Sequence, residues 1–239
     1  MKAILPYLHE HYHIDRLADI TWAHATNNQE RFQQALQDPQ IMVLEADVML
    51  SAHGDIIMAH PPASDSDLHF DAFLQGVSRS KQAIKLDFKN PEVLIPCLQA
   101  LQHSSLTQPV LLNADIAWGD HAPKFNGPGF IAVCKNLYPQ GILSPDWANS
   151  GVPYTQANID DMLDLCRDNE QVTFPVEARL LPSSWTLLSQ LLQRDQYSLT
   201  IWCGVPITSE LLLWLQEHTD PSRVSYDCFD EQGHRLRWW

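Results

Sequence analysis

Lys85, Asp87 and Lys89 alternate through the run Ala83-Ile84-Lys85-Leu86-Asp87-Phe88-Lys89, and Glu45 and Asp47 alternate within Met42-Val43-Leu44-Glu45-Ala46-Asp47-Val48. Successive side chains of a β-strand point to opposite faces, so each set shares one face if these runs are strands. Three carboxylates and two lysines facing one interior need charge compensation, because like charges crowded at low dielectric repel strongly. The economical arrangement is a divalent cation held by Glu45, Asp47 and Asp87, with the lysines left to meet an anion. The alternative is a metal-free ion-pair network of the same five residues.

His24 and His60 end two further short apolar runs. A cation, two histidines and Lys89 suit phosphodiester cleavage. The positive charges neutralise phosphate oxygens, one histidine accepts a proton or attacks, and the other protonates the leaving oxygen. Hard oxygen ligands favour Mg2+ or Ca2+ over softer metals.

Positioning these groups requires a scaffold that brings strand ends together. Eight strand-like runs recur, at residues 20–24, 42–49, 83–88, 110–114, 141–144, 172–178, 198–202 and 224–228. Helical spacing fills the intervals 29–37, 68–79, 91–102, 156–167, 183–193 and 209–218, which alternate with the strands. That alternation predicts an α/β chain folded as a single (β/α)8 TIM barrel over residues 1–239. Residues 1–18 form an N-terminal extension, 56–59 a loop strand, and 118–129 a long loop placed to cover the site.

Barrel catalysis uses the C-terminal ends of strands, where His24, Glu45, Asp47, His60, Asp87 and Lys89 would all fall. Lys85 lies earlier on its strand and is expected deeper, as a partner of Glu45 or Asp87, with substrate contact as the other role. Asn113 shares parity with Asp115 on the fourth strand and is expected to contact substrate. Trp202 would form an apolar wall. Five cysteines, scattered and without a Cys-x-x-Cys pair, read as buried thiols.

Glu45-Ala46-Asp47, then Gly54-Asp55 and Ile57-Met58-Ala59-His60, resembles the Glu-x-Asp, Gly and His pattern of glycerophosphodiester phosphodiesterases and sphingomyelinase D enzymes. Segments 20–27, 58–62, 84–89, 113–116, 172–176 and 197–202 are similar, in order, to the signature segments of the menorin family, a branch of this phospholipase-C-like superfamily. The resemblance implies His24 and His60 as the catalytic pair, Glu45, Asp47 and Asp87 as metal ligands, and Lys89 on the phosphate. The implied substrate is a small-molecule or lipid-derived phosphodiester, either hydrolysed or transferred to an internal hydroxyl. A menorin-like barrel that binds a ligand or protein without turnover is the competing reading. The chain departs from the phosphodiesterases at Ala25, where an arginine usually follows the first histidine. It also carries Glu177 after Phe174-Pro175-Val176, where menorin-like chains commonly show arginine. Arg179, two residues on, shares its parity with Glu177 and is expected to reach inward.

The formal net charge of −14 argues against nucleic acid or an anionic membrane surface as partner. No apolar run reaches the roughly 20 residues of a membrane span, and a cytoplasmic chain is expected. His9, His11 and His13 mimic a His-x-His zinc motif, but Pro6 interrupts the preceding run and no matching ligands follow; they read as surface residues or an N-terminal lid.

Overall fold

Period-two patterning produces nine strands in the computed structural model, which describes residues 4–236. They are β1 Trp22–Ala23, β2 Val43–Leu50, β3 Ile56–Met58, β4 Ala83–Phe88, β5 Val110–Trp118, β6 Ile142–Ala148, β7 Val172–Glu177, β8 Tyr197–Trp202 and β9 Val224–Asp227. Eight of them pair in parallel in the order β1-β2-β4-β5-β6-β7-β8-β9, while β3 folds back antiparallel onto the end of β2. The result is a nearly closed (β/α)8 barrel. The loop strand expected at 56–59 is β3.

The described residues also form helices α1 Ile4–Tyr12, α2 Gln29–Gln37, α3 Phe70–Val77, α4 Pro91–His103, α5 Gly127–Leu137, α6 Gln156–Leu165, α7 Leu181–Leu188 and α8 Ser209–His218, with short 3-10 turns at Leu17–Asp19, Ala178–Leu180 and Ser189–Gln193. Several begin with a side-chain cap just after the loop that leaves a strand end. Asn28 accepts from the Arg31 amide at 2.9 Å, Asn126 from Gly129 at 2.8 Å, and Thr155 forms a reciprocal capping box with Asn158. Each cap satisfies orphan helix donors, which are worth about 1 kcal/mol, and so fixes where the preceding loop turns at the barrel mouth.

Inside the barrel the side chains change character along its axis. At the N-terminal end Trp22, Val43, Ala83, Leu111 and Ile142 form an apolar floor with Tyr7 and Leu8 of α1. The N-terminal segment is therefore a helix that plugs the end opposite the catalytic mouth, and the lid reading of its histidines is corrected. His9 pairs with Asp15 at 2.9 Å, and His11 stacks on Tyr7 with ring centroids 4.0 Å apart. Two strands run further than expected: β5 continues to Trp118 and β6 to Ala148. With α5 starting at Gly127, the loop expected at 118–129 shortens at both ends.

All five cysteines are buried and free. Among the described residues no helix is long and apolar enough to cross a membrane. Beyond β9, Arg235 pairs with Asp38 at 3.1 Å and the Leu236 amide bonds Cys228 O at 3.0 Å. The two terminal tryptophans, expected to pack on the barrel wall or a partner, lie outside the described residues.

Candidate active site at the barrel mouth

Register decides which polar residues meet. Glu45 stands opposite Lys85 and Asp47 opposite Asp87 on the β2–β4 ladder, Asp87 opposite Asn113 on β4–β5, and Asp115 opposite Asp146 on β5–β6. All share the inward parity of their strands, so they line one mouth. A cavity of about 260 Å3 opens there, and it is lined by His24, Glu45, Asp47, His60, Lys85, Asp87, Lys89, Asn113, Glu177 and Trp202. Of the residues singled out in the sequence, Arg179 alone is not in that lining.

Glu45, Asp47 and Asp87 each bring an oxygen to within 4.8 Å of the others. Their remaining lone pairs are directed by neighbours. The Ala25 amide donates to Glu45 Oε2 at 2.8 Å, and Asn27 Nδ2 donates to Asp47 Oδ2 at 2.6 Å while its own Oδ1 accepts from the Asp47 amide. Ala25 holds a left-handed φ of 52°, a conformation costly for a side-chain-bearing residue, and this local turn accompanies its amide bond to Glu45. Lys89 Nζ sits between two of the carboxylates, 2.6 Å from Asp87 and 3.0 Å from Asp47. Burial alone would lower the Lys89 pKa, but Asp87 and Asp47 hold it well above the ordinary lysine value. Three hard oxygen donors that meet this closely have the chemistry a divalent cation asks for, with Lys89 as the competing positive charge between two of them.

Glu45 is pushed up to about 7, first by burial and then by Asp47, against the opposing pull of His24 and Lys85. Lys85 is itself only 4% exposed and makes no direct ion pair among the described residues. It stands opposite Glu45 on the ladder and acts on that carboxylate through space, without a direct ion pair. Asn113 is also fully enclosed, and its Nδ2 donates to Ser144 O at 2.5 Å.

His24 crosses the seam between the first and last barrel strands. Its Nδ1 lies 2.8 Å from Asp227 Oδ2 and 3.6 Å from Glu45 Oε2. Burial opposes the charged form, yet Asp227 and Glu45 outweigh it and raise His24 to about 9. His60 is more exposed, and its Nδ1 lies 2.6 Å from Pro61 O. A carbonyl can only accept, so Nδ1 carries the proton and Nε2 is the free nitrogen of neutral His60.

Arg179 follows β7 in a short 3-10 turn, so the strand parity assumed for it does not apply. It forms an ion pair with Glu177 and packs against Gly151, which has φ +95° and where an added side chain would strike the guanidinium. The pair forms one edge of the mouth.

Several site residues carried too little sequence signal. Asp227 lies within a predicted strand, but nothing in its run distinguishes it until His24 is seen across the seam. Asp146 escaped because the run reads as ending at Ser144-Pro145, where a proline argues against a continuing central strand. Tyr154 enters from the connection between β6 and α6, which has no periodicity. His121 of the β5–α5 loop lines the cavity, as the placement of that loop suggested.

The strand order, the β3 excursion and the polar cavity define a (β/α)8 TIM barrel with its candidate site at the mouth. A candidate glycerophosphodiester phosphodiesterase from Galdieria sulphuraria superposes with a TM-score of 0.60 at 12% identity, covering 90% of this chain and 95% of that one. The glycerophosphodiester phosphodiesterase of Thermotoga maritima gives 0.52 at 11% identity, covering 90% and 96%. At those identities the likeness is one of fold. Sequence likeness goes further: residues 16–233 match the menorin N-terminal domain, and the chain belongs to the menorin family. It is 34% identical over 238 residues to Protein FAM151B of Homo sapiens, covering 92% of this chain and 86% of that protein.

Proposed function

We propose that this barrel is a divalent-metal-dependent phosphodiesterase acting on a small-molecule or lipid-derived phosphodiester. The observation that carries the reading is the meeting of Glu45, Asp47 and Asp87 within 4.8 Å, with His24 and His60 lining the same cavity. Glu45, Asp47 and Asp87 would hold Mg2+ or Ca2+, which supplies Lewis-acid polarisation of a phosphoryl oxygen.

The chain's own groups divide the proton work. Asp227 favours a proton on His24, so His24 is the group that protonates the leaving alcohol oxygen as its bond to phosphorus breaks. His60, bonded only to a neutral carbonyl, takes the proton of the oxygen that attacks phosphorus. That oxygen comes from water in hydrolysis or from a substrate hydroxyl in cyclising transfer. Lys89 supplies a fixed positive charge to the phosphate, and Lys85 adds another from deeper in the barrel. Asn113, Glu177, Arg179 and Trp202 would shape the substrate pocket.

Calorimetric titration of Mg2+ and Ca2+ into metal-stripped protein tests the first half. Binding is expected in the parent and lost in Asp47→Ala. A phosphodiester panel tests the second: His60→Ala should keep the metal and lose about 10^2- to 10^4-fold in turnover. One observation favours a different reading, since Lys89 already bridges Asp47 and Asp87 as an ion-paired core would. That reading, a ligand-binding barrel without turnover, predicts no metal binding in the parent and no activity on any member of the panel.

A further inference from the structure

Gly119, Asp120 and His121 open the loop between β5 and α5, and the loop is tied to the strands on both sides of it. Toward β6 the chain comes so close that an added side chain at Gly119 would strike Ala148 O, an approach that glycine permits. The His121 amide donates to that same Ala148 O at 3.4 Å, and the Ser150 amide donates to Asp120 Oδ1 at 2.9 Å. Toward β4, Lys124 Nζ donates to Lys89 O at 3.5 Å. Phe125 is buried edge-on to Phe130, with ring centroids 5.6 Å apart, and anchors the far end of the loop. A loop fixed in this way to a rigid scaffold can hold a side chain at one angle.

The side chain so held is an imidazole. Asp120 Oδ1 lies 2.7 Å from His121 Nδ1. Asp120 is kept below the ordinary carboxylate range, first by the His121 bond and then by the Ser150 amide, so it is ionised and can only accept. Nδ1 therefore carries the proton, and Nε2 is the nitrogen left for the cavity that His121 lines. Asp115 feels both Lys89 and His121, so the imidazole and the Asp87–Lys89 end of the carboxylate set surround one group. His24 on β1 and His121 after β5 thus enter from opposite sides of the β2–β4 ladder that carries Glu45, Asp47 and Asp87.

We propose that Asp120 and His121 form a substrate-positioning dyad, in which Asp120 orients the ring and Nε2 binds a non-bridging phosphate oxygen. The inference rests on the phosphodiester reading and adds this residue pair to it. When the anion arrives the ring takes a second proton from solvent, so that Nε2–H donates to phosphate while Nδ1–H still donates to Asp120. His24 and His60 keep the proton transfers, and His121 sets the angle at which phosphorus meets them.

Dimethyl phosphate, a phosphodiester anion with no further group to recognise, is titrated into the full chain with Mg2+ or Ca2+ in excess, and the histidine imidazole NMR signals are followed. Its dissociation constant should rise about tenfold in His121→Ala, the loss expected of one charge-assisted hydrogen bond. His121→Gln keeps an N–H near the place of Nε2 and should recover most of that loss. Asp120→Ala separates orientation from charge. Removing a carboxylate from an acidic mouth should by Coulomb's law tighten the binding of an anion. Loss of the orienting partner should instead weaken it, by about threefold or more. A parent that does not bind dimethyl phosphate, binding unchanged in His121→Ala, or tighter binding in Asp120→Ala overturns the proposal. On the phosphodiester panel His121→Ala should lower kcat/KM about tenfold, through KM. A loss carried by kcat at unchanged KM makes His121 a proton-transfer group and overturns the positioning role. If no diester turns over while dimethyl phosphate still binds through His121, the phosphodiesterase reading falls and the dyad stands. If diesters turn over and both alanine variants match the parent, the dyad falls and the enzyme stands. Should thermal melting show that Asp120→Ala does not fold, His121→Ala and His121→Gln decide alone.

Discussion

His24 is gripped by two carboxylates from different strands, and its charge depends on them more than on its own burial. Asp227 is the nearer, at 2.8 Å against 3.6 Å for Glu45. In the metal-free protein His24 should titrate near 9, and Asp227→Asn should bring it down toward the ordinary histidine value of 6.5. NMR titration of the imidazole signals in the presence of chelator reads this directly. A pKa that stays high in the variant would transfer the effect to Glu45. The histidine was legible in the sequence as the end of a strand-like run, whereas its anchor was not. Asp227 lies 203 residues away, and only closure of the barrel makes the two neighbours.

At the scale of elements, alternation was the legible quantity and length was not. The inward set Glu45, Asp47, Lys85 and Asp87 follows from parity alone, and the β2–β4 register places those residues opposite one another. Parity gives no information about where a strand stops. Reading β6 as ending at Ser144 removed Asp146 from consideration, although Pro145 stays in the ladder opposite Ala114. Helix α5 was missed because its Gly127-Pro128-Gly129 start reads as turn, although proline suits the first helical turn and Asn126 caps it. Helix α1 was missed for a different reason: its apolar residues serve the barrel floor, a surface that exists only after the strands have closed. Leu8 is fully buried there against that floor. Leu8→Ala should therefore cost about 2–5 kcal/mol of stability, the usual range for a buried leucine truncated in place. Urea unfolding should show a lower midpoint with an unchanged slope. Metal affinity at the opposite end should be unaffected. A cost below about 1 kcal/mol would mean that α1 is a loosely docked extension and not a plug.

For the whole molecule, the acidic surplus of the mouth couples stability to pH and to divalent cations in opposite directions. Glu45 has a folded-state pKa of about 7 against an ordinary 4.5, and His24 about 9 against 6.5. Both are raised, so each favours the folded state below its unfolded value and loses that contribution as pH rises through its folded value. Asp115 and Asp146 are raised too, by burial first and then by neighbouring carboxylates, and act in the same sense. The metal-free protein should therefore melt at progressively lower temperature between about pH 5 and 9. A cation bound by Glu45, Asp47 and Asp87 needs them ionised, so its affinity rises over the lower part of that window as Glu45 deprotonates. At one hundred times its dissociation constant a ligand adds about 2.7 kcal/mol, which for a chain of this size is roughly 5–10 °C in Tm. Melting curves across that window, with chelator and with excess Mg2+ or Ca2+, should diverge as pH rises. Parallel curves would mean that the carboxylates are neutralised from within, by Lys89 and Lys85, and that the mouth is an ion-paired core with no place for a metal.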